Sequence, residues 1–175
     1  SLAFTAGANG TPRVGATHAW LGQSVSLRGI GGREGGAPPP VDLAAEKRNG
    51  DCVRGMIHGG TATAVHDLSD GGLLIALAEM AMASGIGAKL LAAPTSLVSH
   101  AYWFGEDQAR YLVTVPETEA GRVLAKMRGC EVPCVRIGTT GGDAIAIAGE
   151  APVTIDALRK SFERWLPEYM GGKAA

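Results

Sequence analysis

The apolar positions along this chain change period several times, and each change predicts an element. Over residues 41–58, Val53, Met56 and Ile57 share one helical face while Glu46, Lys47 and Arg48 fall opposite, which predicts a helix opened by Asp42. A short β-branched run at 61–65 predicts a strand. Residues 70–84 are apolar almost all round and rich in Ala, as in a buried helix that its neighbours approach closely, with Gly85 as a left-handed stop. Strands are predicted at 86–91 and 110–115, joined by a long connection holding His100, Tyr102 and Trp103. Residues 117–128 read as a helix with Val123, Leu124 and Met127 inward. Short strands at 134–137 and 144–148 flank Gly141-Gly142-Asp143, a hairpin signal. Thr154 opens a last helix whose Ile155, Leu158, Phe162 and Trp165 share a face, with a stop near Pro167. Helices alternating with strands in this way predict an α/β fold of α+β layers, a mixed β-sheet packed with helices.

The first forty residues follow no such rhythm. Residues 1–10 are small and polar, the composition of a mobile end or of the end of a missing structure. Trp20, Leu21, Val25 and Leu27 are compatible with a helix over 17–30 that Gly22 and Gly29 weaken. The stretch from Gly31 to Pro40, glycines and then three prolines, reads as a linker. The expected division is therefore a tail plus linker at 1–40 and a domain at 41–175. The chain opens Ser-Leu-Ala and its first Met is Met56, as expected of a piece of something longer.

Composition narrows the function classes. With 46% hydrophobic and 19% charged residues the chain suits a globular domain with a real core. A net charge of −1, with no Lys/Arg block interleaved with aromatics, gives no footprint for nucleic acid or an anionic membrane. No apolar run approaches the ~18 residues of a spanning helix, and no signal-peptide pattern opens the chain. Cys52, Cys130 and Cys134 lack a paired metal-binding spacing and read as buried or idle thiols in a reducing cytosol.

The densest chemistry is His66-Asp67-Leu68-Ser69-Asp70-Gly71-Gly72, where the strand at 61–65 turns into the buried helix. Such a turn aims free backbone N–H groups and the positive end of a helix dipole in one direction, where a phosphate or other anion can sit. The plainer reading has Ser69 or Asp70 capping the helix while the glycines permit close packing. His66 has a side chain suited to general-base work near neutral pH but no adjacent nucleophile, so a hydrogen-bonded structural histidine is expected. A second cluster, Glu106-Asp107-Gln108-Ala109-Arg110, introduces a strand. It reads either as a ligand-contacting loop or as salt-bridge partners at a surface or domain boundary.

These words occur together elsewhere. His-Asp-Leu-Ser-Asp-Gly-Gly-Leu running into Ala-Leu-Ala-Glu-Met-Ala resembles the C-terminal AIR-synthase-like domain of the phosphoribosylformylglycinamidine synthase subunit II family. So do the block from Phe104 to Pro116, the Ile-Gly-x-x-x-Gly-Gly turn from Ile137, and Trp165-Leu166-Pro167-Glu168-Tyr169-Met170. The matches run in order from about Val14 to Met170. An AIR synthetase, selenophosphate synthetase or thiamine-phosphate kinase shares the related Asp-Gly-Gly turn but not the second and fourth blocks. A non-catalytic interaction module is the rival of another class.

The resemblance implies an ATP-dependent C–N ligase of purine biosynthesis, cytoplasmic, converting formylglycinamide ribonucleotide to the amidine with glutamine-derived ammonia. It implies ATP and magnesium as cofactors. It implies as partners the remaining domains of the same chain, a glutaminase subunit and a small bridging subunit, with residues 1–40 ending a preceding AIR-synthase-like domain. In the family the catalytic histidine, nucleotide lysine and most magnesium ligands lie in earlier domains, so no catalytic or metal-ligating residue is assigned here and the piece alone should be inactive. The candidates for substrate or nucleotide contact are Asp67, Ser69, Asp70, Gly71, Gly72, Glu106, Asp107 and Gln108.

Overall fold

The computed structural model describes residues 2–7 and 9–171; expectations that fall on the remaining residues lie outside them. A seven-stranded mixed sheet runs in the order β2-β4-β1-β5-β3-β6-β7. The strands are β1 (Asn9–Val14), β2 (Ala64–Asp67), β3 (Ala88–Leu90), β4 (Tyr111–Pro116), β5 (Cys134–Thr140), β6 (Ala144–Ile147) and β7 (Val153–Thr154). Helices α1 (Val25–Gly29), α2 (Leu43–His58), α3 (Gly72–Ser84), α4 (Ser99–Phe104), α5 (Glu117–Gly129) and α6 (Ile155–Met170) connect them.

Successive side chains of a strand point to opposite faces, and β4 shows what covers each. Leu112 joins Leu73, Leu77 and Met80 of α3, Tyr102 and Trp103 of α4 and Ile155 of α6. Val113 and Val115 join Val53 and Met56 of α2 and Val123 and Met127 of α5. Helices thus cover both faces, which is why β4 is an almost unbroken apolar run instead of an alternating one. The expected mixed sheet with packed helices is the observed architecture.

The N-terminal segment departs most from expectation. β1 lies inside the sheet, antiparallel to β4 on one side and β5 on the other, and Phe4 is buried in the core on the α3 face. Neither residues 4 nor 9–14 form a mobile end, and the sheet does not begin after residue 40. Asn-Gly-Thr-Pro-Arg-Val lacks the β-branched alternation of a strand. It is accommodated because the register slips between Thr11 and Pro12, a bulge where the ladder can do without the proline N–H.

Four smaller differences follow from tertiary context. Only 25–29 of the predicted 17–30 helix is helical, capped by Ser24. The long connection contains α4, and β2 starts three residues later than predicted, so that His66 and Asp67 lie in it. β5 and β6 do not form a hairpin: β3 inserts between them, antiparallel to β5 and parallel to β6. Helix α6 continues through Pro167 to Met170, on a side where the carbonyl that the proline leaves unbonded can face water. The caps by Asp42, on Ala44 and Ala45, and by Thr154, on Ala157, are as expected, and so is the left-handed Gly85.

Candidate functional site

The Glu106–Arg110 loop enters β4 and meets three parts of the chain: the 16–25 segment, the start of α3 and the N-terminal half of α2. Glu106 Oε1 accepts from the N–H of Val25 and from the N–H of Gly71, each at 2.8 Å. One carboxylate therefore closes the N-terminal ends of both α1 and α3, the position that a helix dipole favours for an anion. Asp107 is buried and accepts from the N–H groups of His18, Ala19 and Trp20 at 3.2, 3.1 and 3.3 Å. Its second partner is Arg110, whose guanidinium stands 3.6 Å away and is fully buried. Arg110 also donates to the carbonyls of Asp107 and Gly105 at 3.0 and 2.5 Å. Burial pushes the Arg110 pKa down to about 10, against the pull of Asp107 in the other direction, and the side chain stays charged at neutral pH.

Two residues of α2 hold the far end of the loop. Ala109 donates its N–H to Glu46 Oε1 at 2.8 Å, and its carbonyl accepts from Asn49 Nδ2 at 2.9 Å. Ala109 has φ +58°, and Ala19 and Gln23, on the clasped segment, have φ +60°. Three non-glycine residues in the left-handed region around one loop cost roughly 1–3 kcal/mol each and persist only where their surroundings over-determine them. Beside the loop opens a cleft of about 550 Å³. Trp20, Pro40, Val41, Arg48, Asn49 and Gln108 line it, so the proline stretch forms one wall of a concave site and does not hang free.

The signature turn has a different economy. Gly71 is the residue before α3, with φ +77° and no side-chain cap from its own turn; Ser69 and Asp70 are exposed. The expected cap by Ser69 or Asp70 is corrected: the acceptor comes from Glu106, 35 residues away. Gly72, φ +70°, lies so close to the loop that a Cβ would stand 2.5 Å from the Gly105 carbonyl oxygen. Asp67 is exposed and faces Tyr111 in the β2–β4 register. His66 bonds the Asp67 carbonyl at 2.6 Å and Glu79 of α3 at 2.9 Å, as a hydrogen-bonded structural histidine. The structure thus joins Glu106, Gly71 and Gly72 in one contact and Asp107 in the next. It leaves Ser69, Asp70 and Asp67 at the surface, with Gln108 in the cleft wall. Glu46, Asn49 and the strained Ala109 belong to the same assembly and carried no signal in the sequence. Among the described residues no group of three His, Cys, Asp or Glu side chains is placed to hold a metal ion.

A model of the AIR synthase related protein, C-terminal domain, matches residues 14–149. The chain belongs to this family. Its relatives include the phosphoribosylformylglycinamidine synthase subunit PurL of Bradyrhizobium diazoefficiens, 89% identical over all 175 residues, and that of Nitrobacter hamburgensis, 66% identical over 173. The chain spans about a quarter of the length of these relatives: 24% and 23%. Among solved structures, Thermotoga maritima PurL complexed with FGAR aligns with a TM-score of 0.71 at 18% identity, covering 89% of this chain and 28% of that one. A thiamine-monophosphate kinase of Stenotrophomonas maltophilia aligns at 0.55 and 20% identity, covering 82% and 51%. At such identities these likenesses speak for the AIR-synthase C-terminal fold alone. Among the described residues no helix is long and apolar enough to cross a membrane.

Proposed function

We propose that this chain is the C-terminal AIR-synthase-like part of a phosphoribosylformylglycinamidine synthase, an ATP-dependent ligase that aminates formylglycinamide ribonucleotide in purine biosynthesis. The observation that carries the reading is the 89% identity, without a break in coverage, to a PurL protein about four times as long. Identity at that level separates it from the AIR synthetase, selenophosphate synthetase and thiamine-phosphate kinase readings, which share the fold.

Within that enzyme the domain acts by position. Its unit takes in Phe4 and β1, and residues 15–42 are an excursion that the acidic loop clasps. ATP with magnesium, the glutamine-derived ammonia and the glutaminase and bridging subunits engage the assembled polypeptide in the cytoplasm. A Thermotoga maritima structure bearing the name PurLQS and another of PurL complexed with ATP support the assembly and the nucleotide. The nucleotide and substrate contacts proposed for this part center on Gln108 and the cleft beside it. The anion position at the start of α3 is already held by Glu106, which argues against a phosphate at Gly71.

The test replaces the corresponding quarter of the Bradyrhizobium diazoefficiens relative with these 175 residues and follows amidine formation from ATP, substrate and ammonia. Turnover within a few-fold of the parent is expected, and none above blank from the 175 residues alone. An inactive chimaera that folds and assembles, or turnover by the isolated piece, overturns the reading.

A further inference from the structure

We propose that Cys52 and Cys130 are an oxidisable thiol pair, a disulfide modification site that ties α2 to the end of α5. The two helices share the core on one face of the sheet, Val53 and Met56 from one against Val123 and Met127 from the other. Met56 of α2 and Lys126 of α5 line the same small crevice. One turn back from Met56 is Cys52; one turn on from Lys126 is Cys130, whose N–H bonds the Lys126 carbonyl at 3.1 Å. α2 turns back into β2 and α5 turns back from β4, and those strands are antiparallel, so the two helices run in opposite directions. Residues four apart stack on one helix face, so a contact at Met56 and Lys126 brings the two cysteines to the same end of the pair. Cys130 and the Lys126 ammonium both act on the Cys52 thiol, as neighbours of that side chain do.

Exposure assigns the order of events. Cys130 is exposed and Cys52 half-buried, so Cys130 is the entry thiol. As thiolate it attacks one sulfur of a small-molecule disulfide such as glutathione disulfide. An S–S bond forms to Cys130 and one glutathione thiolate leaves. Cys52, deprotonated, then attacks the Cys130 sulfur and expels the second glutathione thiolate. The two cysteines lose two electrons and two protons, and the disulfide reagent is reduced to two thiols. Burial holds Cys52 above its ordinary pKa, which slows the second step. Cys134, four residues on, is pushed up to about 11 by burial and competes poorly. The bond would fasten α2 three residues beyond Asn49, on the helix whose Glu46 and Asn49 hold Ala109 in place.

The test incubates the purified protein with excess glutathione disulfide, counts free thiols, and digests with trypsin without reduction. Free thiols are expected to fall from three to one, and peptide 49–54 to appear joined to peptide 129–136. The link should persist in Cys134→Ser and vanish in Cys130→Ser, an exposed position whose change leaves the core untouched. A link that survives Cys130→Ser, an internal bond between Cys130 and Cys134, or glutathione left on Cys130 with no bond to Cys52, overturns the proposal.

Discussion

Two acidic words meet at the start of α3 and behave in opposite ways. In the His66–Gly72 turn the acids face solvent and the glycines make the contacts. In the Glu106–Arg110 loop the acids turn inward, and five backbone N–H groups from distant segments converge on two carboxylates. An acid beside a helix start in sequence need not be its cap; the acceptor that geometry brings there can come from another element. The comparison makes the loop the structural clasp of this domain and the turn the surface it grips.

The largest effect is expected from Asp107→Ala. It strips three N–H groups of their acceptor and leaves the buried Arg110 guanidinium without its counter-charge, a loss of about 3–5 kcal/mol. Urea unfolding measures it, and a loss below about 1 kcal/mol would put Asp107 among the surface pairs instead. Next is Gly72→Ala, where the left-handed backbone costs roughly 1–3 kcal/mol and the added methyl group must push aside the Gly105 carbonyl. A Tm unchanged within error would break the claim that turn and loop touch there.

Tyr111 sharpens the comparison, since it stands between the two words. Its phenol is held above the ordinary value by burial first, then by the carboxylates of Glu46, on the loop side, and Asp67, on the turn side. Glu46→Gln should lower its phenolate midpoint more than Asp67→Asn, read by ultraviolet titration; the reverse order would make the turn the stronger neighbour. The folded state favours the neutral phenol, so the stability it contributes is complete below the ordinary pKa, about 10, and is lost as pH rises through the higher folded value. The smallest effect is expected from Asp70→Ala, within about 0.5 kcal/mol, as for an exposed side chain outside any cap. A loss above 1 kcal/mol would restore Asp70 as a cap.

What the sequence made legible was whatever depends on local period and local caps. α2, α5 and α6 were readable because their apolar faces repeat, α3 because it is apolar almost all round, and Asp42 and Thr154 because a cap acts within three residues. β1 was not, since Asn-Gly-Thr-Pro-Arg-Val owes its place to the partners on both sides and to a bulge that excuses the proline. The hairpin expected at Gly141-Gly142 failed for a related reason: β3, distant in sequence, pairs with both strands. Of the candidate site, the words at 66–72 and 106–110 each stand out in the sequence, and the structure brings them into contact. Their roles do not stand out, because the contact of Glu106 with Gly71 and the hold of Glu46 and Asn49 on Ala109 span 35 to 63 residues.

The most direct measurement of the clasp is residue-resolved amide hydrogen exchange by NMR in the parent chain, Glu106→Ala and Glu106→Gln. If one carboxylate closes both helix starts, Val25 and Gly71 are protected in the parent and lose protection together in Glu106→Ala. Glu106→Gln, which keeps the acceptor oxygen, retains most of it, and the amides of His18, Ala19 and Trp20, held by Asp107, stay protected in both variants. Protection at Val25 and Gly71 unchanged in Glu106→Ala would contradict the account.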